Sequence, residues 1–189
     1  MPEDLMVQFC APTLAGLKTG SLFTASYESE EQLKSDLERM NELFRQKGLR
    51  AIALRYRGGK ALLYIYRPRR LQRDLERADS REILARFGYA GMEQAHIRQN
   101  LCLAHLTERI CASGDFPHEI GLLLGYPPED VRGFIDEGSR ACKASGYWKV
   151  YGDVRQAEEL FTKYRKCTGL YLKCWRNGTP MEKLAVCVR

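Results

Sequence analysis

The sequence predicts an α+β, helix-dominated fold, with a small antiparallel sheet and a β-hairpin in the N-terminal part and a helical C-terminal part. Two alternating runs flank a Gly-Gly pair early in the chain, and apolar residues recur at helical spacing through most of the remainder. The 189 residues, 44% hydrophobic and 29% charged, match the size and composition of one globular domain. We expect a single domain over 1–189, with an N-terminal α/β lobe at about 1–70 and a helical lobe at about 80–189.

The hairpin is the strongest local signal. Residues 50–57 and 60–67 flank Gly58-Gly59, and two glycines permit the positive φ angles of a type I′ turn. This register places three side chains of the first strand opposite three of the second: Ile52 with Ile65, Leu54 with Leu63, and Tyr56 with Ala61. Pro68 ends the second strand because it cannot donate a ladder hydrogen bond.

Helical signals surround the hairpin. Ser29 and Gln32 form a capping box before the apolar stripe of Leu33, Leu37, Met40 and Phe44. Upstream, 5–9 is interpreted as a short helix or strand, Pro12 is expected to open a helical turn that Gly20 closes, and 21–27 alternates as a strand. Downstream we expect helices over 71–78, 80–87, 92–112, 117–124 and 128–137.

The helix over 92–112 is apolar nearly all round in its middle, which predicts a central buried helix. Residues 146–152 are interpreted as a short strand or extended link, and Asp153 is expected to cap a long helix that Asn177-Gly178 ends. A second capping box, Thr179 to Glu182, predicts a short final helix.

Charge and cysteine content constrain the class of protein. The net charge of +6 permits an anionic ligand or weak attraction to nucleic acid, but requires neither. Seven cysteines without a Cys-x-x-Cys pair indicate free thiols in a reducing cytosol. The acidic N-terminus does not resemble a signal peptide, and no apolar stretch reaches the ~18 residues of a membrane span. We expect a cytoplasmic protein that does not enter a membrane, and the sequence leaves its oligomeric state open.

The first candidate site is Cys10-Ala-Pro-Thr-Leu-Ala-Gly-Leu-Lys18. If Pro12 starts a helix, Cys10 lies just before its positive end, which lowers a thiol pKa and attracts anions. Cys10, Thr13 and Lys18 would then bind or react with a ligand carboxylate or phosphate. The alternative is a buried cysteine in a tight turn beside a surface lysine. The chain has no Gly-rich phosphate loop of Walker or dinucleotide type.

The second candidate site is 117–136, which has the spacing of a helix-turn-helix with Gly121 at the close approach of two helices. A DNA-reading helix is basic, whereas this second helix carries Glu129, Asp130, Asp136 and Glu137 against one arginine. We favour a structural corner, keep a DNA-binding regulator as the alternative, and do not expect nucleic acid as a partner.

His118 and Glu119 begin this segment. His118 could carry a proton or act as a ligand and is, with Cys10, a catalytic candidate. The alternative is a helix-terminal histidine with a local hydrogen bond. His96, Cys102, His105 and Cys111 share one helix, but their sparse spacing does not predict a structural zinc site, and no metal site or particular cofactor is predicted.

The third candidate site is Cys142 to Asp153. Tyr147 and Trp148 could stack on a flat ligand and Lys149 could meet an anion, and Tyr126 completes the predicted ligand-binding residues. The alternative is an aromatic strand that anchors the last helix to the core.

The basic cluster of the sequence joins the run from Arg67 to Arg73 with Arg55, Arg57 and Lys60. With Tyr64 and Tyr66 it could bind single-stranded nucleic acid. We favour a solvated helix start in which arginine stems lie over the tyrosines.

Three segments together resemble a bacterial family of unknown function found in anaerobes: Cys-Ala-Pro-Thr-Leu-Ala-Gly-Leu-Lys-Thr, Phe-Pro-His-Glu-Ile-Gly with the following Leu-Gly-Tyr-Pro, and Gly-Tyr-Trp-Lys-Val-Tyr-Gly-Asp. The resemblance covers nearly the whole chain and implies a cytoplasmic stand-alone protein. It supplies no activity and no catalytic residue.

The functional hypothesis is that these segments converge on one pocket for a small anionic or planar ligand or cofactor. An anaerobic host would make redox-linked chemistry natural, by analogy, and whether the chain is an enzyme stays open. The alternatives are the DNA-binding regulator and a partner-binding scaffold without catalysis.

Overall fold

A computed structural model describes residues 3–89, 98–112 and 116–187. Within them the helices and strands follow the order α1 (Glu3–Leu14), β1 (Gly20–Ser26), α2 (Glu30–Arg45), β2 (Arg50–Arg57), β3 (Lys60–Tyr66), α3 (Pro68–Glu76), α4 (Ala78–Ala85), α5 (Arg98–Ala112), α6 (Ile120–Leu123), α7 (Pro128–Glu137), β4 (Ala144–Ser145), β5 (Lys149–Val150), α8 (Val154–Arg176) and α9 (Met181–Leu184). The predicted helix-dominated α+β class is confirmed.

The residue contacts divide the chain into two units. Unit 1 comprises 1–69 and 164–189, and unit 2 comprises 70–163. Unit 1 contains the three-stranded sheet, α1, α2 and α9, whereas unit 2 contains α4 to α7 and the short β4–β5 hairpin. Helices α3 and α8 each contribute residues to both units. The division into one domain with lobes at 1–70 and 80–189 stays a prediction.

The sheet of unit 1 has the antiparallel order β1-β3-β2, and β2–β3 is the predicted hairpin. Gly58 (φ 58°) and Gly59 (φ 72°) adopt the positive angles of the predicted turn. The predicted register holds for Tyr56 and Ala61 but is wrong beyond them, because a bulge at Leu54 shifts it by one residue. Ala53 and Ala51 therefore stand opposite Leu63 and Ile65.

Asn41 of α2 supports this shifted register. Its side-chain amide donates to the Ala51 carbonyl at 2.8 Å and accepts from the Ala51 N–H at 2.9 Å. The outer edge of β2 is thus satisfied by a side chain at this position. Hydrophobic periodicity contains no signal for such a bond, so it could not reveal the bulge.

Helix α1 corrects two predictions at the N-terminus. Pro12 lies inside α1 rather than at the start of a turn, and Gly20 begins β1 rather than closing a helix. A proline near the end of a helix removes one hydrogen bond, and the burial of Met6, Val7 and Leu14 outweighs that loss. The alternative of a strand over 5–9 is wrong.

Helix α2 begins as predicted. Ser29 Oγ accepts from the Gln32 N–H at 3.1 Å, and Gln32 Oε1 accepts from the Glu28 N–H at 2.9 Å. Leu33, Met40 and Phe44 of its stripe are buried. They enter a core with α1, α9 and one face of the sheet.

The elements of unit 2 follow the predicted order with two corrections. Helix α5 is not buried all round, since Leu101 is 48% exposed whereas Cys102, Leu106 and Ile110 are buried. The predicted start of this helix at 92–97, with His96, lies outside the described residues. Helix α6 spans four residues rather than the predicted 117–124. The short strand that was one of the two interpretations of 146–152 is confirmed as β5, which pairs with β4 in a hairpin.

The C-terminal signals are mostly confirmed. Asp153 Oδ1 accepts from the Gln156 N–H at 3.0 Å at the start of α8, and Gly178 (φ 82°) follows its end. The final helix α9 exists, but its capping box is wrong because Pro180 is the cap residue and no side chain bonds there. No helix in the described parts of the chain is long and apolar enough to cross a membrane.

Candidate functional site

Cys10 does not lie at the positive end of a helix. It lies within the C-terminal part of α1, where the helix dipole is negative, and its side chain is fully buried. Burial raises the pKa of the Cys10 thiol to about 12. The predicted lowering of this pKa is therefore wrong.

Lys18 is not a surface lysine. Its backbone N–H and that of Leu17 donate to the Pro12 carbonyl at 3.1 and 2.8 Å, which folds the loop after α1 back on the helix end. The side chain is 7% exposed, and burial lowers the pKa of its amine to about 8 although the neighbouring Cys10 opposes the shift. A lysine with a depressed pKa is partly neutral near pH 8.

Thr13 completes a polar cluster in the interior of unit 1. Thr13 Oγ1 and Ser21 Oγ are 2.9 Å apart and buried, and the Ser21 hydroxyl also bonds the Cys10 thiol. The fold thus brings a thiol, an amine and two hydroxyls together. Neither of the two cavities described below is lined by these residues.

Arg67 is a residue whose role sequence analysis missed. It is 3% exposed, not part of a solvated cluster, and it donates to four carbonyl oxygens at 2.7 to 3.2 Å: those of Thr13, Leu14, Lys47 and Val186. Tyr64 and Tyr66 stack on each other at 4.8 Å and are also buried, so they offer no platform for nucleic acid bases.

In unit 2, the predicted close approach at Gly121 is confirmed. A Cβ atom there would lie 2.8 Å from Val131 Cγ2 of α7, which is too close for any larger residue without movement. The outer side of α7 carries two ion pairs, Arg132 to Glu82 of α4 at 2.8 Å and Asp136 to Arg86, the residue after α4, at 2.6 Å. These contacts are those of a structural helical corner.

Asp130 is the second residue that sequence analysis missed. Its carboxylate is buried and accepts three bonds of 2.7 Å, from the Trp148 indole N–H and the backbone N–H groups of Tyr151 and Gly152. It thereby joins α7 to the residues on either side of β5. The sequence signal for a close approach to α7 was Gly133, one turn after Asp130. A Cβ at Gly133 would lie 2.3 Å from the Tyr151 ring, so only glycine leaves room for that ring.

Three predicted ligand residues lie together in unit 2. Trp148 stacks on Tyr126 with ring centroids 4.8 Å apart and meets Phe161 of α8 edge-on at 4.5 Å. The Tyr126 hydroxyl donates to the Tyr147 carbonyl at 3.2 Å. Trp148 is buried and its N–H is engaged by Asp130, whereas Tyr147 is 38% exposed. Lys149 lies half-buried on β5.

His118 and Glu119 have opposite environments. His118 is exposed and packs edge-on against Phe134 at 4.7 Å. Glu119 is fully buried, and its Oε1 accepts from Arg109 Nε at 2.6 Å and from the Tyr89 hydroxyl at 3.1 Å. Its Oε2 has no hydrogen-bond partner among the described residues. Burial and the nearby Glu119 carboxylate raise the pKa of the Tyr89 hydroxyl.

Metal ligands do not gather in the described part of the chain. Among residues 3–89, 98–112 and 116–187, no three His, Cys, Asp or Glu side chains are grouped to hold an ion. His105, which shares a helix with Cys102, forms a hydrogen bond between its Nε2 atom and the Phe87 carbonyl at 3.0 Å. His96 lies outside these ranges. Burial and Glu119 raise the pKa of Cys102 to about 12.

Two adjoining cavities of unit 2 lie at α7. The larger, about 370 Å³, is walled by α4, α7 and the Tyr151–Gly152 turn, and the smaller, about 260 Å³, includes Tyr126 and the turn before α7. They share Pro128 and Glu129. The larger carries four carboxylates against Arg132, namely Asp79, Glu129, Asp136 and Glu137. Both volumes are comparable to the lower range of small-molecule sites.

The nine predicted ligand residues thus fall into two sets. Cys10, Thr13 and Lys18 belong to unit 1, and the remaining six belong to unit 2: His118, Glu119, Tyr126, Tyr147, Trp148 and Lys149. Their convergence on one pocket stays a prediction.

Comparison with known proteins supports the expectation of a family of unknown function. The model of a family described as "Protein of unknown function (DUF3793)" matches residues 6–185. No curated protein and no solved structure matches the chain. Because the family match spans nearly the whole sequence, the chain belongs to DUF3793, a family of proteins of unknown function.

Proposed function

We propose that the chain binds a small molecule in the two adjoining cavities along α7. The observation that carries this proposal is the cavity of about 260 Å³ that Tyr126 lines, at the edge of the aromatic cluster formed with Tyr147 and Trp148. Gly125 (φ 77°) begins the turn that carries Tyr126 into this wall. A flat ring would contact the Tyr126 side chain and the proline that follows it.

The charges of the cavities favour a cationic ligand over the anionic one predicted from sequence. Asp79 and Asp136 are ion-paired with Arg77 and Arg86. Glu129, which lines both cavities, forms no ion pair within the described residues. Arg77 also lines the smaller cavity, but Asp79 engages its guanidinium through bonds of 3.0 and 2.7 Å. Together the two cavities carry five carboxylates against Arg77 and Arg132, so an anion would meet more negative than positive charge. A planar ligand with a cationic group would place that group at Glu129.

The DNA-binding alternative has less support. Helix α7 is engaged through two ion pairs with α4 and the residue after it, and through Asp130 with the residues that flank β5. A recognition helix presents basic side chains to a groove. The redox-linked role suggested by the resemblance to a family from anaerobes stays a prediction, and the raised pKa of Cys10 argues against a thiolate there.

The test uses two flat probes of equal shape and opposite charge, benzamidine and benzoate, with backbone amide NMR of the full chain. We expect benzamidine to shift the amide signals of Gly125, Tyr126 and Gly152, and benzoate to have a weaker effect. Glu129→Gln should reduce the benzamidine affinity several-fold, because a charge-assisted hydrogen bond is lost.

The matched control is Glu158→Gln, an exposed carboxylate on α8 within unit 2. It should leave the benzamidine response unchanged. Equal shifts with both probes, equal losses in both variants, or no response at these amides would refute the proposal.

A further inference from the structure

The positive charge of the chain is concentrated in one unit. Unit 1 contains 17 Lys and Arg residues against 9 Asp and Glu, a net charge of +8, whereas unit 2 contains 13 against 15, a net charge of −2. The whole excess of +6 therefore belongs to unit 1. Within it, residues 43–69 contain eight basic residues and no acidic one. This segment includes both strands of the hairpin.

Three of these cations form one surface, which we call the hairpin tip: Arg55, Arg57 and Lys60. Arg57 stands directly opposite Lys60, and Arg55 is two residues from Arg57 on the same strand, so all three point to the same side of the sheet. The opposite side of this end carries Tyr56 and Ala61, which pack on the core. All three cations are exposed.

Repulsion among the three cations of the hairpin tip destabilises the fold. Like charges directly opposite each other on paired strands are destabilising. None of the three cations forms an ion pair with a described residue. An anion held between them would remove this repulsion.

Protection of a sheet edge does not account for the arrangement. Cations on an edge strand hinder edge-to-edge aggregation, and β2 is an edge strand. Lys60, however, lies on β3, the central strand, which is hydrogen-bonded on both sides. The repulsive pair therefore needs another explanation.

We propose that the hairpin tip binds the phosphate backbone of nucleic acid. Phosphates attract clustered Lys and Arg side chains independently of base sequence. Base stacking is not part of the proposal, because Tyr64 and Tyr66 are buried. The carboxylates that argued against DNA binding by α7 belong to unit 2. The solvated helix start favoured from sequence does not describe the hairpin tip, whose three cations lie on β2 and β3.

A membrane surface is the less favoured partner. Peripheral membrane binding combines basic side chains with exposed large apolar residues that enter the headgroup region. The exposed large apolar side chains of the described residues are Phe9, Leu17, Leu101, Phe116, Tyr147, Leu170 and Val186, and none lies on the hairpin.

The test measures binding of the full chain to a labelled 20-base-pair DNA of arbitrary sequence by fluorescence anisotropy. If the three cations each neutralise one phosphate, their contribution to the association constant falls roughly 40-fold between 50 and 200 mM salt. The triple variant Arg55→Gln, Arg57→Gln, Lys60→Gln should bind more weakly at 50 mM salt. Its plot of log K against log salt should be shallower by about 3.

The matched control removes three exposed cations of unit 1 on α8, as Lys166→Gln, Lys173→Gln, Arg176→Gln. It loses the same net charge and should retain most of the affinity. Thermal unfolding should show both variants folded, with the hairpin variant no less stable than wild type because a repulsive pair is gone.

Four outcomes would overturn the proposal. These are no binding by wild type at 50 mM salt, equal weakening in the two triple variants, a tenfold preference for one DNA sequence, and tighter binding to vesicles with anionic lipid than to DNA. Equal weakening would mean that binding depends only on the net charge of the unit. A sequence preference would indicate contacts with bases, and tighter vesicle binding would indicate a membrane partner.

Discussion

Arg67 Nε donates to the carbonyl oxygen of Thr13 at 2.7 Å, so a guanidinium from the end of the hairpin closes the C-terminal end of α1. A cation at that end of a helix is favoured by the dipole, and its planar fork reaches several carbonyls at once. The same guanidinium also bonds Lys47 and Val186. One side chain therefore joins four segments of unit 1.

Replacing Arg67 with lysine should destabilise the protein by roughly 3 kcal/mol, because one ammonium cannot reproduce a fork of bonds to several buried carbonyls. Urea unfolding followed by circular dichroism measures this free energy. Arg69→Lys, at a neighbouring exposed position, should change it by less than about 0.5 kcal/mol. Equal effects at the two positions would show that the buried bonds contribute nothing.

Lys18 should make stability depend on pH. Its folded pKa of about 8 lies below the unfolded value of 10.5, so between these values the unfolded state holds the extra proton. The contribution of Lys18 to stability therefore rises with pH across this window. Cys10, with a folded pKa of about 12 against 9.0, contributes in the opposite direction above pH 9.

The Lys18→Met variant isolates the first effect. Its stability relative to wild type should be greatest at pH 7 and should fall by on the order of 3 kcal/mol by pH 10.5. Unfolding by urea at several pH values gives the difference. The exposed Lys166→Met should show no such trend. A flat difference for Lys18→Met would mean that its amine is not desolvated.

The cysteines should label in the order of their exposure. Cys10 and Cys102 are buried with pKa values raised to about 12, whereas Cys187 is exposed. Only a thiolate reacts readily. N-Ethylmaleimide at pH 8, followed by peptide mass spectrometry, should modify Cys187 in the native protein and reach Cys10 and Cys102 only after unfolding. Rapid native labelling of Cys10 would restore the reactive-thiol hypothesis.

Asp130→Asn should destabilise unit 2 by roughly 3 kcal/mol. The carboxylate presents two acceptor oxygens to three buried donors, whereas the asparagine amide has only one acceptor oxygen. The amide also lacks the negative charge that strengthens those hydrogen bonds. The near-ultraviolet circular dichroism of Trp148 should weaken as its indole loses a fixed partner. Glu137→Gln, an exposed position on the same helix, serves as the control. A stability equal to wild type would contradict the role of Asp130 in holding α7 against the residues that flank β5.

Local signals predicted local structure well. The Gly58-Gly59 turn, the Ser29 and Asp153 caps and the bounds of α7 all depend on a few adjacent residues, and all are confirmed. The register of β2 failed at Leu54 because a bulge depends on a partner, Asn41, outside the hairpin. Pro12 misled for a related reason, since burial of α1 outweighs one missing hydrogen bond.

The candidate site was only partly accessible from sequence. Tyr126, Tyr147 and Trp148 were predicted as ligand residues and lie together, but Glu129 was considered only for its repulsion of DNA. Whether a carboxylate serves as a structural acceptor, like Asp130, or lines a cavity, like Glu129, depends on which neighbours reach it. Sequence spacing along one helix cannot distinguish the two.

The sequence by itself determined the fold class, the hairpin and the order of helices, because turn chemistry, caps and periodicity act over a few residues. Only the tertiary structure decided the roles of Cys10, Lys18 and Arg67, since pKa values and buried hydrogen bonds depend on solvent exclusion by distant segments. It also assigned the excess of basic residues to unit 1. A linear count of charges cannot reveal which of them share one surface.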